Sequence, residues 1–546
     1  MADPISDLAR VLTRLPLEAQ ALVTIIRSGM LGPELPHRML QIYQALGRYG
    51  PFGGAVSVAA LRHSDRPGVV DELGTLTFDE LDRRSNALAN ALRARGVTPD
   101  TGVGILCRNH RGMLDATFGA AKAGARALYL NTDFAGPQVE EVCAREGVEV
   151  LVYDQEFAAI VAGVDAPKGR FQAWTDAPGD VSTIEGLITT GNVEAPPAPS
   201  SPGKVVILTS GTTGTPKGAN REQPRSLVAP GALLSAVPFR SREATLVAPP
   251  LFHALGLATT LLSVGLGSTV VLRRRFDPEE VLIVAAEHRC TALIVVPVML
   301  NRLVDVGEAR MGDLDLSALR IIFSSGAQLE GALASHAMDV FGDVVYNLYG
   351  STEVAYASIA GPADMRAAPG TVGRPPLGTT VRLFDDAGQP VPTGTTGRIF
   401  VNNGQEFGGY TGGGGKEVID GLMSTGDVGH FDEDGRLFVD GRDDEMIVSG
   451  GENVFPREVE ELLAGHESVQ EAAAVGVPDP MFGQRLRAFV VVRPGHDLDV
   501  DTVQEYVRAN LARYKVPRDV VFLDELPRNP SGKVLKRELV QLDVEA

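Results

Sequence analysis

Val205-Val206-Ile207-Leu208, followed by Thr209-Ser210-Gly211-Thr212-Thr213-Gly214-Thr215-Pro216-Lys217-Gly218, is the stretch on which the reading of this chain turns. The apolar run reads as a buried strand. The small hydroxyl and glycine residues after it leave backbone N–H groups bare, so several can converge on one anion. Lys217 adds a point charge able to follow a phosphate as it leaves. Thr209, Ser210, Gly211, Thr212, Thr213, Gly214 and Lys217 therefore read as a phosphate cradle. It is not a Walker A loop, which ends in Gly-Lys-Ser/Thr where this one ends in Pro216-Lys217-Gly218.

On both sides of the cradle the pattern alternates between strand and helix. Before it, Thr77-x-x-Glu80 is a capping box ahead of Leu81, Leu88 and Leu92. Val103–Cys107, Ala125–Leu130 and Val148–Tyr153 read as strands, with a helix at 111–123. Residues 186–203, rich in Pro, Gly and Ala, read as a loop leading into the cradle. After it, Thr245–Ala248, Ser268–Leu272, Thr291–Val296, Arg320–Phe323 and Val344–Leu348 read as strands, and Asp277-Pro278-Glu279 opens a helix. Such alternation implies stacked, largely parallel sheets flanked by helices, with ligands at the carboxyl ends of the strands. From 371 to 440 short alternating segments with Gly turns predict a small β-rich, barrel-like subdomain, with Asp432–Gly435 as a hairpin turn and Gly408–Gly415 as a mobile segment. From 441 to 546 helix and strand signals predict a small α+β domain. The large domain thus spans 51–440.

Residues 1–50 form a separate helical arm. Leu8, Val11, Leu12 and Leu15, then Leu22, Ile25 and Ile26, then Met39, Ile42, Tyr43 and Leu46, repeat at helical spacing, punctuated by Pro16, Pro33 and Pro36. Arg10, Arg14, Arg27, Arg38 and Arg48 lie among them. A peripheral membrane-surface helix has this pattern. So does an arm packed on the body or on the partner subunit of a homodimer, which the acids Asp3, Asp7 and Glu18 favour.

Composition bounds the rest. The chain has 546 residues, 44% of them hydrophobic and 22% charged, which is ordinary for a globular protein. A net charge of −19 excludes a general nucleic-acid binder. Cys107, Cys143 and Cys290 make neither a disulfide framework nor a metal cluster, which fits a reducing cytoplasm. The acidic N-terminus is no signal peptide, and no apolar run is long enough to span a membrane.

Six stretches, in order, resemble the adenylate-forming superfamily of acyl-CoA synthetases, luciferases and peptide-synthetase adenylation domains. They are Thr209–Gly218, Pro250-Leu251-Phe252-His253, Tyr349-Gly350-Ser351-Thr352-Glu353, Ser424-Thr425-Gly426-Asp427, Gly441-Arg442 with Ser449-Gly450-Gly451-Glu452-Asn453, and Asn529-Pro530-Ser531-Gly532-Lys533. The likeness runs from about residue 53 to the C-terminus. It implies a chemistry in two halves. The acid's carboxylate attacks the α-phosphorus of ATP and pyrophosphate leaves; the thiol of CoA then attacks the acyl-adenylate. The first half needs charge neutralised on phosphate oxygens and the attack aligned.

The resemblance implies roles residue by residue. Glu353 is the Mg²⁺ ligand, as one carboxylate among phosphate oxygens and waters, and Thr352 donates to the α-phosphate. Tyr349 and Gly350, with Gly326 and Ala327, surround the adenine; from the residues alone, Tyr349 is also an ordinary core tyrosine and Gly326 an ordinary turn. Asp427 accepts from the ribose hydroxyls, although a loop-capping aspartate reads the same, and Arg442 is the second nucleotide contact. Lys533 bridges carboxylate and α-phosphate. His253 lies at the acyl pocket and the pantetheine tunnel, with a structural histidine as the alternative. The small domain is mobile. It rotates about Asp444 and brings either Lys533 or the Gly450-Gly451 segment, which lines the thiol path, to the nucleotide. Two departures stand out: the acidic triplet Asp443-Asp444-Glu445, and Ala219-Asn220-Arg221-Glu222, where many members carry an apolar strand.

The acid is read from small residues Gly256, Ala258 and Gly265 and apolar walls Val296, Val298, Met299 and Leu300. They suit a medium- or long-chain fatty acid. An aromatic or sterol side-chain acid also fits, because apolar walls discriminate weakly between apolar shapes. Other readings are an acyl-AMP ligase that loads a carrier protein, a luciferase-like oxygenase, and a non-catalytic nucleotide-binding protein.

Overall fold

The computed structural model describes residues 4–176, 182–209, 217–221, 226–310, 312–327, 329–385, 387–405, 407–410, 415–442, 447–449, 452–454, 456–527 and 534–542. Two sheets carry the large domain. In one, strands Lys204–Thr209, Arg126–Tyr129, Gly102–Leu106, Val148–Asp154 and Gly169–Trp174 run parallel in that spatial order. In the other, Val345–Tyr349, Ile321–Ser324, Ala292–Val295, Ala244–Val247, Thr269–Leu272 and Pro67–Asp71 run parallel, with antiparallel strands only at its two edges. Val103, Ile105, Ala127 and Tyr129 of the first sheet share one core with Val247, Val270, Ile294 and Phe323 of the second. Both sheets are covered on both faces, which is why their strands read as nearly continuous apolar runs.

Local chemistry fixes the helices. Thr77 and Glu80 form both capping-box bonds, and Asp277 caps its helix through the N–H of Glu280 at 2.8 Å. The stretch read as a loop from 186 differs: a helix spans Ile184–Thr190, capped by Thr183 and anchored by buried Ile184 and Ile188. Its two isoleucines, four apart, outweigh the glycine-rich surroundings. After the cradle, Lys217–Arg221 forms a strand antiparallel to Lys204–Thr209 in spite of its polar sequence. Phe407–Tyr410 extends that sheet as a further strand, so the first part of the stretch expected to be mobile is paired; residues 411–414 lie outside the described residues. Thr380–Phe384, Gly397–Asn402, Leu422–Phe431, Val418–Ile419 and Leu437–Arg442 make the antiparallel half-barrel, with the expected hairpin at Asp432–Gly435.

The small domain is a sheet of Glu452–Val454, Ile447–Ser449, Gly483–Val492, Val469–Asp479 and Asp519–Phe522, backed by helices Pro456–Ala464 and Val500–Asn510. It docks through the segment around Ala512, which packs with Leu106, Leu128 and Val206 of the large domain. Arg513 N–H donates to the Asp133 carbonyl at 3.2 Å. Buried Lys515 donates to Glu458, and Gln138 of the large domain reaches the same carboxylate at 3.5 Å.

The chain opens with two helices, α1 (Pro4–Ser28) and α2 (Pro36–His63), the second running past the expected arm boundary at residue 50 into the large domain. Pro16 does not break α1, which runs through it at the loss of one backbone hydrogen bond. Ala21, Ile25 and Ser28 turn inward, and Ala21 lies against Gly231. α2 kinks at Gly50. No helix among the described residues is long and apolar enough to cross a membrane.

Candidate active site

The site lies where loops leave the carboxyl ends of the strands. Val345–Tyr349 ends in a tight turn whose shape requires glycine: a Cβ on Gly350 would sit 2.2 Å from the carbonyl oxygen of Ala355. In that turn Ser351 Oγ donates to Glu353 Oε2 at 2.9 Å, and the Glu353 and Val354 N–H groups donate back to Ser351 Oγ. Tyr349 donates its hydroxyl to Asp427 Oδ2 at 2.5 Å, which fixes the tilt of the ring. Asp427 is buried, and its N–H is held by Thr425 Oγ1 at 3.1 Å. Its strand pairs it directly with Arg442 in the antiparallel ladder. Gly326, at φ 92°, and Ala327 follow the neighbouring strand Ile321–Ser324. Tyr349, Gly350, Thr352, Asp427, Gly326 and Ala327 line one cavity of about 2230 Å³.

His253 lines the same cavity at the start of helix Ala254–Gly265 and stacks obliquely on Phe252, centroids 4.5 Å apart. Its Nε2 meets Glu452 Oε1 of the small domain at 2.6 Å. Burial alone would lower the imidazole pKa, but the Glu452 carboxylate, with Asp133 behind it, outweighs that and holds it above the ordinary value of 6.5. Asp133 in turn is raised, by burial first and then by Glu452. The strand pair Ile447–Ser449 and Glu452–Val454 is thus the part of the small domain that faces the cavity beside His253.

Two groups here were missed by the sequence reading. Asn347 is buried, lines the cavity and holds an amide oxygen with no partner. A buried acceptor left unpaired costs stability, so it marks a place built for a donor. The period-2 position of Asn347 on an otherwise apolar strand was the available signal. Asp133 has no local signal, because only the folded chain brings it to Glu452 and Arg513.

Several expected site residues lie outside the described residues: Ser210, Gly211, Thr212, Thr213, Gly214, Asp444, Gly450, Gly451 and Lys533. Thr209 ends its strand, and Lys217 and Arg442 are described in their backbone only. Away from the cavity, buried Cys107, His110 and Asp154 bring ligand-type atoms within 4.8 Å of one another. His110 is bonded to Asp154 at 2.8 Å and accepts from Gly112 N–H at 3.1 Å, the Arg108 N–H holds Asp154, and burial keeps the thiol protonated. That cluster is a hydrogen-bonded plug between strand ends.

The other end of the cavity is apolar. Leu257, Leu261 and Leu262 of helix Ala254–Gly265 line it with Val205, Ile207 and Leu233, as do Pro51, Phe52 and Ala55 of α2 and Met30 of the segment before it.

Residues 56–411 match the AMP-binding enzyme family, and residues 458–533 match the AMP-binding enzyme C-terminal domain. A feruloyl-CoA synthase of Amycolatopsis sp is 36% identical over 498 residues, 89% of this chain and 98% of that protein. The long-chain-fatty-acid–CoA ligase FadD13 of Mycobacterium tuberculosis is 30% identical, over 85% of this chain and 92% of the relative. The solved amide bond synthetase McbA of Marinactinospora thermotolerans superimposes with a TM-score of 0.81 at 28% identity, covering 90% of this chain and 99% of that one.

Proposed function

The chain belongs to the AMP-binding enzyme family of adenylate-forming enzymes, as an acid–CoA ligase that uses ATP, Mg²⁺ and CoA, and from that premise we propose that its acid is a medium- or long-chain fatty acid. The observation that carries this is the apolar end of the cavity. Leu257, Leu261, Met30 and Phe52 line it, and none of these side chains is charged. Burying a methylene in such a wall is worth roughly 0.8 kcal/mol, so a long chain gains steadily along it.

The polar end fits an adenine nucleotide. The unpartnered Asn347 oxygen is an acceptor for an exocyclic amine, and the ring of Tyr349, fixed by Asp427, offers a stacking face. Asp427 would hold the ribose hydroxyls and Arg442, directly opposite, the nucleotide. Glu353 with Thr352 suits a hard cation shared with phosphate oxygens, which when bound neutralises charge on the departing pyrophosphate. Residues 209–218 would cradle the phosphates. Lys533 would hold the attacking carboxylate and the α-phosphate together, so that the carboxylate oxygen bonds to phosphorus as the bridging oxygen leaves with pyrophosphate. In the second half-reaction the CoA sulfur bonds to the acyl carbon and AMP leaves. The bond from His253 to Glu452 supports reading the docked arrangement as the one for this second step. It draws the imidazole toward the small domain, and the strand pair beside Gly450-Gly451 then borders the thiol's path. Rotation about Asp444 would bring Lys533 in for the first step.

The 36% identity to a feruloyl-CoA synthase favours a second reading, an arylalkenoic acid. A panel of fatty and aromatic acids with ATP, Mg²⁺ and CoA, read by mass spectrometry, separates the two. We expect thioester formation to be most efficient with the longer fatty acids. Faster turnover of ferulate-like acids than of any fatty acid would replace the first reading with the second. Adenylate accumulating without thioester would redirect the acceptor to a carrier protein or an amine.

A further inference from the structure

Large apolar side chains exposed among the described residues concentrate in the N-terminal arm. Ten of eighteen lie between Leu15 and Leu46. On α1, Leu15, Leu22 and Ile26 form a stripe at helical spacing, away from the inward face of Ala21, Ile25 and Ser28. On α2, Met39, Tyr43 and Leu46 form a second stripe with Leu40 beside it; Met39 is 61% and Tyr43 77% exposed. A packed arm would show one apolar face, turned inward. This one has an inward face and an outward one.

Charge tells what would cover the outer face. The chain is strongly acidic, at −19. Yet from 15 to 49 the exposed charges are Arg27, Arg38 and Arg48. The two carboxylates of that stretch are occupied: Glu18 accepts from Ser226 Oγ at 2.6 Å and Leu227 N–H at 3.0 Å, and Glu34 pairs with Arg62 at 2.7 Å. The surface is therefore apolar and cationic on an anionic protein. A second copy of the chain pairing through the same patch about a two-fold axis would set arginines against arginines. An anionic lipid surface satisfies both properties, the stripes entering the acyl boundary and the guanidinium groups reaching the headgroups.

We propose that the outer face of α1 and α2 is a peripheral docking surface for anionic bilayers. It precedes the residues matched by the family, so it is an addition to the ligase fold. The inner side of the same arm supplies Met30, Pro51 and Phe52 to the apolar end of the cavity, so docking holds that end close to the bilayer.

The test uses the full chain and no substrate, so it fails independently of the fatty-acid reading. Sedimentation is measured with vesicles of phosphatidylcholine, with and without phosphatidylglycerol. We expect binding to the anionic vesicles alone, weakening as salt is added. Arg38→Glu with Arg48→Glu should lower partition at least tenfold, since each arginine near an anionic surface contributes roughly fivefold. Met39→Ser with Tyr43→Ser should lower it about tenfold as well. Both pairs should keep the circular dichroism spectrum and the unfolding midpoint of the unmodified chain, which reports that they fold. If either pair fails to fold, the salt titration of the unmodified chain decides. No vesicle binding, binding indifferent to salt, or binding unmoved by both pairs overturns the proposal. So does a dimer, seen by light scattering without lipid binding, that Met39→Ser with Tyr43→Ser dissociates.

Discussion

The two ends of the cavity are built by opposite means. At the nucleotide end a few polar groups hold one another: Tyr349 to Asp427, Ser351 to Glu353, Thr425 to Asp427. Tyr349 comes from a strand end, Ser351 and Glu353 from a turn whose glycine admits no side chain, and Thr425 and Asp427 from within the strand Leu422–Phe431. At the acid end, residues from α1–α2, from helices Val228–Ala236 and Ala254–Gly265 and from strand Lys204–Thr209 contribute interchangeable apolar walls. A polar site fixes identity residue by residue, because each donor needs its acceptor; an apolar site fixes only volume. On the proposed reading, one end therefore specifies a reaction and the other a class of substrate.

That contrast can be broken or sharpened by measurement. The largest effect belongs to Lys533→Ala. It should reduce acyl-adenylate formation by about a hundredfold or more while largely sparing thioester formation from supplied acyl-adenylate, as removal of a transition-state charge does. Equal loss in both half-reactions would remove the assigned role. Next is Asp427→Asn, which turns an acceptor-only group into a partial donor facing the Tyr349 hydroxyl. Its ATP KM in pyrophosphate exchange should rise by roughly tenfold to a hundredfold, with the acid KM nearly unchanged. A matching rise for the acid would show the two ends to be one coupled unit.

At the seam between the domains the effect is smaller and depends on pH. His253 is held above 6.5 by Glu452, so the ion pair is fully present below the ordinary histidine value and is lost as pH rises through the raised one. Asp133, Glu452 and Arg513 surround it. The ratio of wild type to His253→Gln in acyl transfer from supplied adenylate should therefore fall as pH rises above 6.5. A ratio independent of pH would mean that the contact does not govern transfer. The smallest change is expected from Leu261→Phe. It should shift preference toward shorter acids by about tenfold per excluded methylene or less, and leave ATP kinetics alone. An altered ATP KM would contradict the division of labour.

The same division explains what was legible in the sequence. Strands of both parallel sheets, the helix at Arg111–Ala123, the caps at Thr77 and Asp277 and the hairpin at Asp432–Gly435 follow from short-range signals that the structure repeats. Tyr349 and Asp427, from two separate motifs, meet at 2.5 Å and both line the cavity. The Ile184–Thr190 helix did not show, because seven residues carry too little periodicity against a glycine-rich background. The contribution of Met30 and Phe52 to the cavity was illegible for a different reason. Nothing in an apolar residue says which of two apolar surfaces it will join; Phe52, two residues past the kink at Gly50, lines the cavity.

Lys515 and Glu458, the ion pair sealed beneath the small domain, both belong to that domain, and the large domain reaches them with the uncharged amide of Gln138. In the proposed rotation of the small domain the couple would travel whole, and neither partner would be stranded without its counter-charge. The proposed rotation would instead part the His253–Glu452 ion pair, the bond from Arg513 N–H to the Asp133 carbonyl, the Gln138 contact and the apolar packing around Ala512, and leave this buried charge pair intact.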